Sequence, residues 1–201
     1  MSRFVKRLSA VALAAVAFTS VQAAEIAVSS VTASSTFFTY NVNNLVNGNG
    51  LVGTDHTGAW ENKWLLDGVT TGTVTFDLGS LFKIGSSTVW NYGPGCCGDD
   101  RSVKDLGISV STDGVNFSNS GNFVLTQPAT DPFAGQSLAL NDVSARYVRF
   151  SLNSNYGDTT YSGLSEVKFY GTAVPEAETY AYALFGLGVV GVALRRKAIA
   201  A

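Results

Sequence analysis

Apolar residues in the middle of the chain recur at every second position rather than every third or fourth. Val74 and Phe76 alternate ahead of Asp77-Leu78-Gly79, and Leu106, Ile108 and Val110 alternate with Gly107, Ser109 and Ser111. Val148, Phe150 and Leu152 share one face of a further run, as do Val167 and Phe169. Successive side chains of a strand point to opposite faces, so this pattern predicts half-buried strands. The runs are separated by Gly, Asn, Asp and Ser, and Asp113-Gly114 after Ser111-Thr112 predicts a hairpin turn. No stretch of this region carries a helical apolar stripe of useful length. Many short strands joined by polar turns predict an all-β domain, a β-sandwich or jelly roll.

Two uncharged stretches break the alternation. Arg3, Lys6 and Arg7 precede the run from Leu8 to Phe18, and Val21-Gln22-Ala23 follows it. A basic start, a short apolar run and small residues predict a helical signal peptide over 1–23, cleaved near Ala23 or Ala24. The second stretch runs from Thr179 to Leu194 and is closed by Arg195, Arg196 and Lys197. At about 1.5 Å per residue it makes roughly 24 Å of helix, enough for a membrane span when the flanking cations snorkel. Tyr180 and Tyr182 suit the interface, and Gly186, Gly188 and Gly191 are ordinary in a membrane helix. The basic cluster places Arg195 to Lys197 in the cytoplasm and the main domain outside. The predicted organisation is a signal peptide over 1–23, a domain over 24–172, and a tail over 173–201 with its span at 179–194.

The tail has a short motif, an apolar span with glycines and a basic cluster, in that order. Val174-Pro175-Glu176 followed by the span and Arg195-Arg196-Lys197 resembles the PEP-CTERM sorting signal of Gram-negative bacteria. That resemblance implies recognition and processing by an exosortase-type membrane protease, often in species that make exopolysaccharide. Ala177 departs from the family's Pro-Glu-Pro pattern, where a second proline is usual.

Charge narrows the partners of what lies between. Six of the thirteen Lys and Arg residues belong to the two targeting segments. Thirteen carboxylates against seven cations leave the central domain at about −6. An acidic domain without a basic stripe argues against nucleic acid and is compatible with neutral sugars or a bound cation.

A series of short motifs spans this domain in order. They are Asn44-Leu45-Val46-Asn47-Gly48, Trp60, Phe76-Asp77-Leu78-Gly79, Ser111-Thr112-Asp113-Gly114-Val115-Asn116-Phe117, Ala145-Arg146-Tyr147-Val148-Arg149-Phe150 and Leu164-Ser165-Glu166-Val167-Lys168-Phe169-Tyr170-Gly171. Together they resemble the discoidin or coagulation-factor C-type domain, a jelly-roll β-sandwich of the galactose-binding-like superfamily, over about Ala27 to Gly171. The resemblance implies that loops at one end bind a glycan, lipid or protein, without catalysis. It also implies one structural Ca²⁺, held by Asn47, Asn44 or Asn49 and by Glu166 from the last strand. Relatives often place Asp where Asn47 stands, and an amide brings no charge. Read from the residues alone, the same loop is a tight turn held by Asn side chains.

Stacking on aromatic faces and hydrogen bonds from polar side chains are how proteins hold sugars. The residues of those types are His56, Trp60, Trp64, Trp90, Asn91, Tyr92 and Arg101, and Trp90-Asn91-Tyr92 ends a predicted strand. Trp60 and Trp64 are four apart, and at least one of them belongs in the core. His56, Trp60, Trp90, Asn91, Tyr92 and Arg101 form the expected ligand site. Cys96-Cys97 admits a vicinal disulfide, two free thiols or a bond to another chain. One histidine, no evident Ser-His-Asp arrangement and no HExxH argue against a hydrolase, and Asp99 and Asp100 beside Arg101 read as solvated or salt-bridged. The expectation is an exported, non-catalytic surface protein binding exopolysaccharide or envelope glycan. The competing expectation is a structural matrix protein without a small ligand.

Overall fold

Two long strands dictate the architecture. The computed structural model describes residues 23–95 and 98–175. Strands β1 (Ala24–Ile26), β2 (Ser30–Ala33), β3 (Leu51–Val52), β4 (Asp55–His56), β5 (Trp64–Leu65), β6 (Gly72–Asn91), β7 (Asp105–Ser111), β8 (Ser118–Val124), β9 (Phe133–Ala134), β10 (Gln136–Leu152) and β11 (Gly163–Ala173) carry the chain. Among the described residues the helical pieces are short 3-10 turns at Val42–Leu45, Trp60–Asn62 and Asp99–Arg101. No helix among them is long and apolar enough to cross a membrane.

Strands β6 and β10 pair antiparallel from Val89–Gln136 to Phe82–Ala145, and again from Asp77–Tyr147 to Gly72–Leu152. Residues 78–81 interrupt the ladder, and there the ribbon folds over on itself. Its first half carries β2 on β6, and β7 then β8 on β10; its second half carries β11, with β1 and β5, on β6. One continuous hydrogen-bonded path thus makes both layers of a sandwich. A separate small sheet, β3-β4-β9, lies outside this path.

The corner is stapled by charge. Arg146 stands opposite the interruption and grips Asp77 with both arms, Nε to Oδ1 at 2.8 Å and Nη2 to Oδ2 at 2.9 Å. The guanidinium holds the Asp77 carboxyl below the usual carboxylate range. Asp77 Oδ1 also accepts the Gly79 N–H at 2.8 Å, and Gly79 turns with φ +79°, a conformation open to glycine. This accounts for Asp77-Leu78-Gly79 and Ala145-Arg146-Tyr147 as one structural unit.

The predicted alternation is realised as core. Val74, Phe76, Leu106, Ile108, Val148, Phe150, Leu152, Val167 and Phe169 are all buried. Phe76 and Phe150 from one layer meet Phe169 from the other edge-on, with centroids 5.1, 5.2 and 6.0 Å apart. Such pairs add about 0.5–1.5 kcal/mol each beyond their burial.

Folding the ribbon gives the sandwich two distinct ends. One end holds the corner at 78–82, the bulge of β10 at Asn141-Asp142 and the last residues of β11, where Ala173 pairs with Phe82. The opposite end gathers the loops 34–41, 57–63, 92–102 and 153–162. Short contacts tie these loops together: Phe37 N–H to Leu65 O, Leu66 N–H to Ser162 O and Lys104 N–H to Ser154 O. The predicted signal peptide up to residue 22, Glu176, Arg195, Arg196, Lys197 and the span at 179–194 lie outside the described residues, as do Cys96 and Cys97.

Candidate functional site

The loop end presents aromatic rings over a polar foundation. Trp60 opens its 3-10 turn, remains 43% exposed and meets Tyr40 edge-on at 5.9 Å. Tyr40 packs on Phe37 at 5.9 Å, and Phe37 on Tyr161 at 4.8 Å. The Arg101 guanidinium lies 4.7 Å from the Tyr161 centroid while its Nε donates to Asp158 at 2.9 Å. Phe38 stands out from this row, 87% exposed. It occupies the second position of a turn closed by Tyr40 N–H to Phe37 O, with φ +41°. Left-handed backbone at a bulky residue costs about 1–2 kcal/mol. Strain of this kind collects at binding sites.

Beneath the rings lies Lys63, fully buried. Its Nζ donates to Gly93 O at 2.7 Å and Pro94 O at 3.2 Å, and sits 4.3 Å from the Tyr92 ring centroid. Burial pushes the ammonium down to about 8, with Asp131 opposing. Asp131 accepts the Gly58 N–H at 2.8 Å. Gly58 is a close-approach glycine, since a Cβ there would fall 1.8 Å from Pro94 O. Lys63, Gly58 and Asp131 thereby hold the loop that leads into Cys96-Cys97.

The expected ligand residues separate into two groups. Trp60 and Arg101 are at the loop end, Trp60 exposed and Arg101 partly so. His56, Trp90, Asn91 and Tyr92 are buried beneath it. Trp90 Nε1 donates to Thr54 O at 3.0 Å under the β3-β4 hairpin. Asn91 spends its whole amide inward: Nδ2 donates to Val103 O and Thr126 O, and Oδ1 accepts from Tyr92 N and Val103 N. The Tyr92 hydroxyl faces Tyr40 and Arg101 without a hydrogen bond, and burial pushes its pKa up. The His56 ring bonds Thr57 O through Nδ1 at 2.6 Å and packs beside Phe133, and burial pushes its pKa down. Trp64 is the core member of the Trp60/Trp64 pair, with Nε1 on Thr36 Oγ1 at 3.0 Å. Asp158, rather than Asp99 or Asp100, takes the Arg101 ion pair. Sequence reasoning missed Phe37, Phe38, Tyr40, Tyr161 and Lys63. Phe37-Phe38 inside the polar stretch 34–39 was the available signal, two aromatics where no strand alternation needs them.

The expected metal residues lie to one side of this end. Asn44 is buried, its Nδ2 donating to Glu61 O at 2.7 Å and Lys63 O at 2.9 Å, and its Oδ1 accepting from Asn47 at 3.2 Å. Its amide is thereby engaged in holding the loop. The Asn47 side chain caps Asn49 N–H at 2.8 Å, and Asn49 itself is exposed. Glu166 is 1% exposed and accepts the Gly48 N–H at 3.1 and 3.3 Å. Among the described residues no cation pairs with it, because Lys168 pairs with Glu25 at 3.0 Å. Burial pushes the Glu166 carboxyl up to about 8. Asn47, Gly48 and Glu166 line one cavity of about 320 Å³. No group of three or more His, Cys, Asp or Glu gathers among the described residues, so any cation here would rest largely on backbone carbonyls. A buried carboxylate without a counter-charge, beside an amide oxygen and a glycine-rich loop, fits a hard cation.

A folded-over antiparallel ribbon, two packed layers and loops gathered at one end define a jelly-roll β-sandwich. The sequence matches the F5/8 type C domain over residues 30–167, and the chain belongs to this discoidin family. Residues 173–197 match a PEP-CTERM protein-sorting motif, which marks the chain for export and sorting to the cell envelope. Both resemblances read from the sequence are thus shown. A search of curated proteins gives no match. Among solved structures, the chain resembles CBM32-3 from a family 31 glycoside hydrolase of Clostridium perfringens, with TM-score 0.57 and 19% identity, covering 74% of this chain and 95% of that one. It resembles the lectin domain of lectinolysin, solved with Lewis B antigen, with TM-score 0.57 and 19% identity over 76% of this chain and 100% of that one. A fucose binding module of Streptococcus pneumoniae gives TM-score 0.56 and 17% identity over 74% and 96%. At these identities the likeness is one of fold.

Proposed function

We propose that this is an exported, non-catalytic carbohydrate-binding protein whose loop end takes a glycan of the cell's own envelope or exopolysaccharide. The observation that carries the reading is the exposed Trp60 and Phe38 pair, set on Tyr40 and Phe37 beside the Arg101–Asp158 pair. Sugar rings stack on such faces, while a guanidinium and a carboxylate address hydroxyls. Neighbours of the same fold described as a carbohydrate-binding module, a lectin domain and a fucose binding module support it. The tail would be held in the membrane through 179–194 until an exosortase-type enzyme processes it. One structural Ca²⁺ would be held by Glu166, the Asn47 amide oxygen and loop carbonyls, adding positive charge where Glu166 has none.

The test is glycan-array binding by the full chain in a non-glycosidic detergent, with host exopolysaccharide included. Saturable binding lost in Trp60→Ala, with folding unchanged, is the expected result. Absence of binding to every polysaccharide, including the host's own, overturns the carbohydrate reading.

A further inference from the structure

The first residues of the sorting motif and the loop end sit at opposite ends of the sandwich, and the motif match begins on the last residue of the sheet. The motif match begins at residue 173, and Ala173 is the last residue of β11, paired with Phe82. Val174, the next residue, still donates its N–H to Leu81 O at 3.0 Å. The first residues of the tail are therefore part of the sheet. Strand β1 returns to the same end, with Ala24 opposite Gly171. From Gly163, beside the loops, to Ala173 the strand climbs ten steps, about 33 Å at roughly 3.3 Å each.

We infer that, while the tail is membrane-held, the sandwich stands on its corner end and presents Trp60, Phe38 and Arg101 away from the bilayer. The ligand is then a polymer lying outward of the anchoring membrane, not that membrane's own lipid headgroups. A Gly/Ser linker of a dozen residues would let the body tumble; here Val174 is still hydrogen-bonded to Leu81, and only residues 175–178 lie between it and the predicted span at 179. Among the described residues, the charges at the corner end are balanced. Its Asp77 and Arg146 neutralise each other, and its exposed groups mix Lys83 with Asp142. The inference rests on the anchoring part of the proposed function and is independent of which glycan is bound.

The test uses the full chain in its host, with a short epitope placed either in an exposed loop or in an exposed strand bulge. One insertion goes between Gly68 and Val69, at the loop end, where Gly68 has open space around it. The other goes between Asn141 and Asp142, at the corner end. Spheroplasts are labelled with a membrane-impermeant nanobody, and the same samples are labelled again after detergent extraction, where equal signals establish that both variants fold. The expected result is several-fold stronger labelling of the Gly68 epitope on spheroplasts. A twenty-residue Gly/Ser insertion between Ala173 and Val174 is expected to equalise the two. Equal labelling of membrane-bound protein without the insertion overturns the orientation. Loss of the protein from the membrane fraction overturns instead the anchoring on which it rests.

Discussion

Lys63→Met removes the buried ammonium while keeping most of the side chain's length. Wild-type Nζ serves Gly93 O and Pro94 O, and the thioether offers those carbonyls no donor. Leaving buried acceptors unpaired costs about 1–3 kcal/mol each, toward the low end for the half-buried Pro94. In the other direction, burial holds the ammonium at about 8 against 10.5 for a free lysine. That shift corresponds to roughly 3 kcal/mol of penalty below pH 8, relieved when the charge is absent. The two effects nearly offset at pH 7. Between about pH 8 and 10.4 the unfolded chain keeps the lysine proton and the folded chain releases it, so raising the pH favours the folded wild type. The Met variant lacks this gain. Its deficit therefore grows by about 1.4 kcal/mol per pH unit, reaching close to 3 kcal/mol at pH 10. Tyr92, whose ionisation burial pushes up, stays neutral in the folded state throughout this window. Urea titrations followed by tryptophan fluorescence at pH 7, 8, 9 and 10 measure the gap. A gap that stays flat across that range refutes the desolvated ammonium and the account of the loop it anchors.

Other perturbations test the remaining parts. Phe169→Ala removes the ring joining both layers, and a loss of about 3–5 kcal/mol in equilibrium unfolding is expected. Phe38→Gly relieves the left-handed strain, so stability should hold or rise by up to about 1 kcal/mol while glycan affinity falls. Chelation by EGTA should lower Tm in the wild type and leave Glu166→Gln unmoved; equal responses by differential scanning fluorimetry would count against Ca²⁺ at Glu166.

The framework was readable because it follows from a period of two. Val74, Phe76, Ile108, Val148 and Phe150 alternate in sequence and pack as expected, and the corner motifs carry their own ion pair. The site was less readable because type and position alone do not say which way a polar side chain faces. Asn91 shows why. At a strand end, an asparagine can reach out to a sugar or inward to loop backbone, and the sequence around it is the same. Here all four of its hydrogen-bonding capacities are met, by the adjacent Tyr92 and by Val103 and Thr126, which lie 12 and 35 residues further on. Trp90 likewise depends on a hairpin laid over it by Thr54. Phe38 carries the opposite lesson: its exposure arises from a left-handed turn position that favours glycine, which its hydrophobicity does not reveal.

The buried members of the expected site still bear on binding, through the loops they fix. Lys63 ties 57–63 to Gly93 and Pro94, Asn91 ties 92–103 to Thr126, and the Ser102 hydroxyl bonds Tyr92 O. Asn155 holds the carbonyls of Asp158 and Tyr161 at 2.8 Å each, which fixes the partners of Arg101 and Phe37. A surface ordered before the ligand arrives loses little conformational entropy on binding. Trp60 and Phe38 belong to that surface and contribute little to the bonds below it. Their removal should therefore weaken binding at nearly constant stability, whereas removing Asn91, or removing Lys63 above pH 8, should weaken both together. A folded Asn91→Ala variant that loses stability yet keeps full glycan affinity would show that the loops bind without this preorganisation.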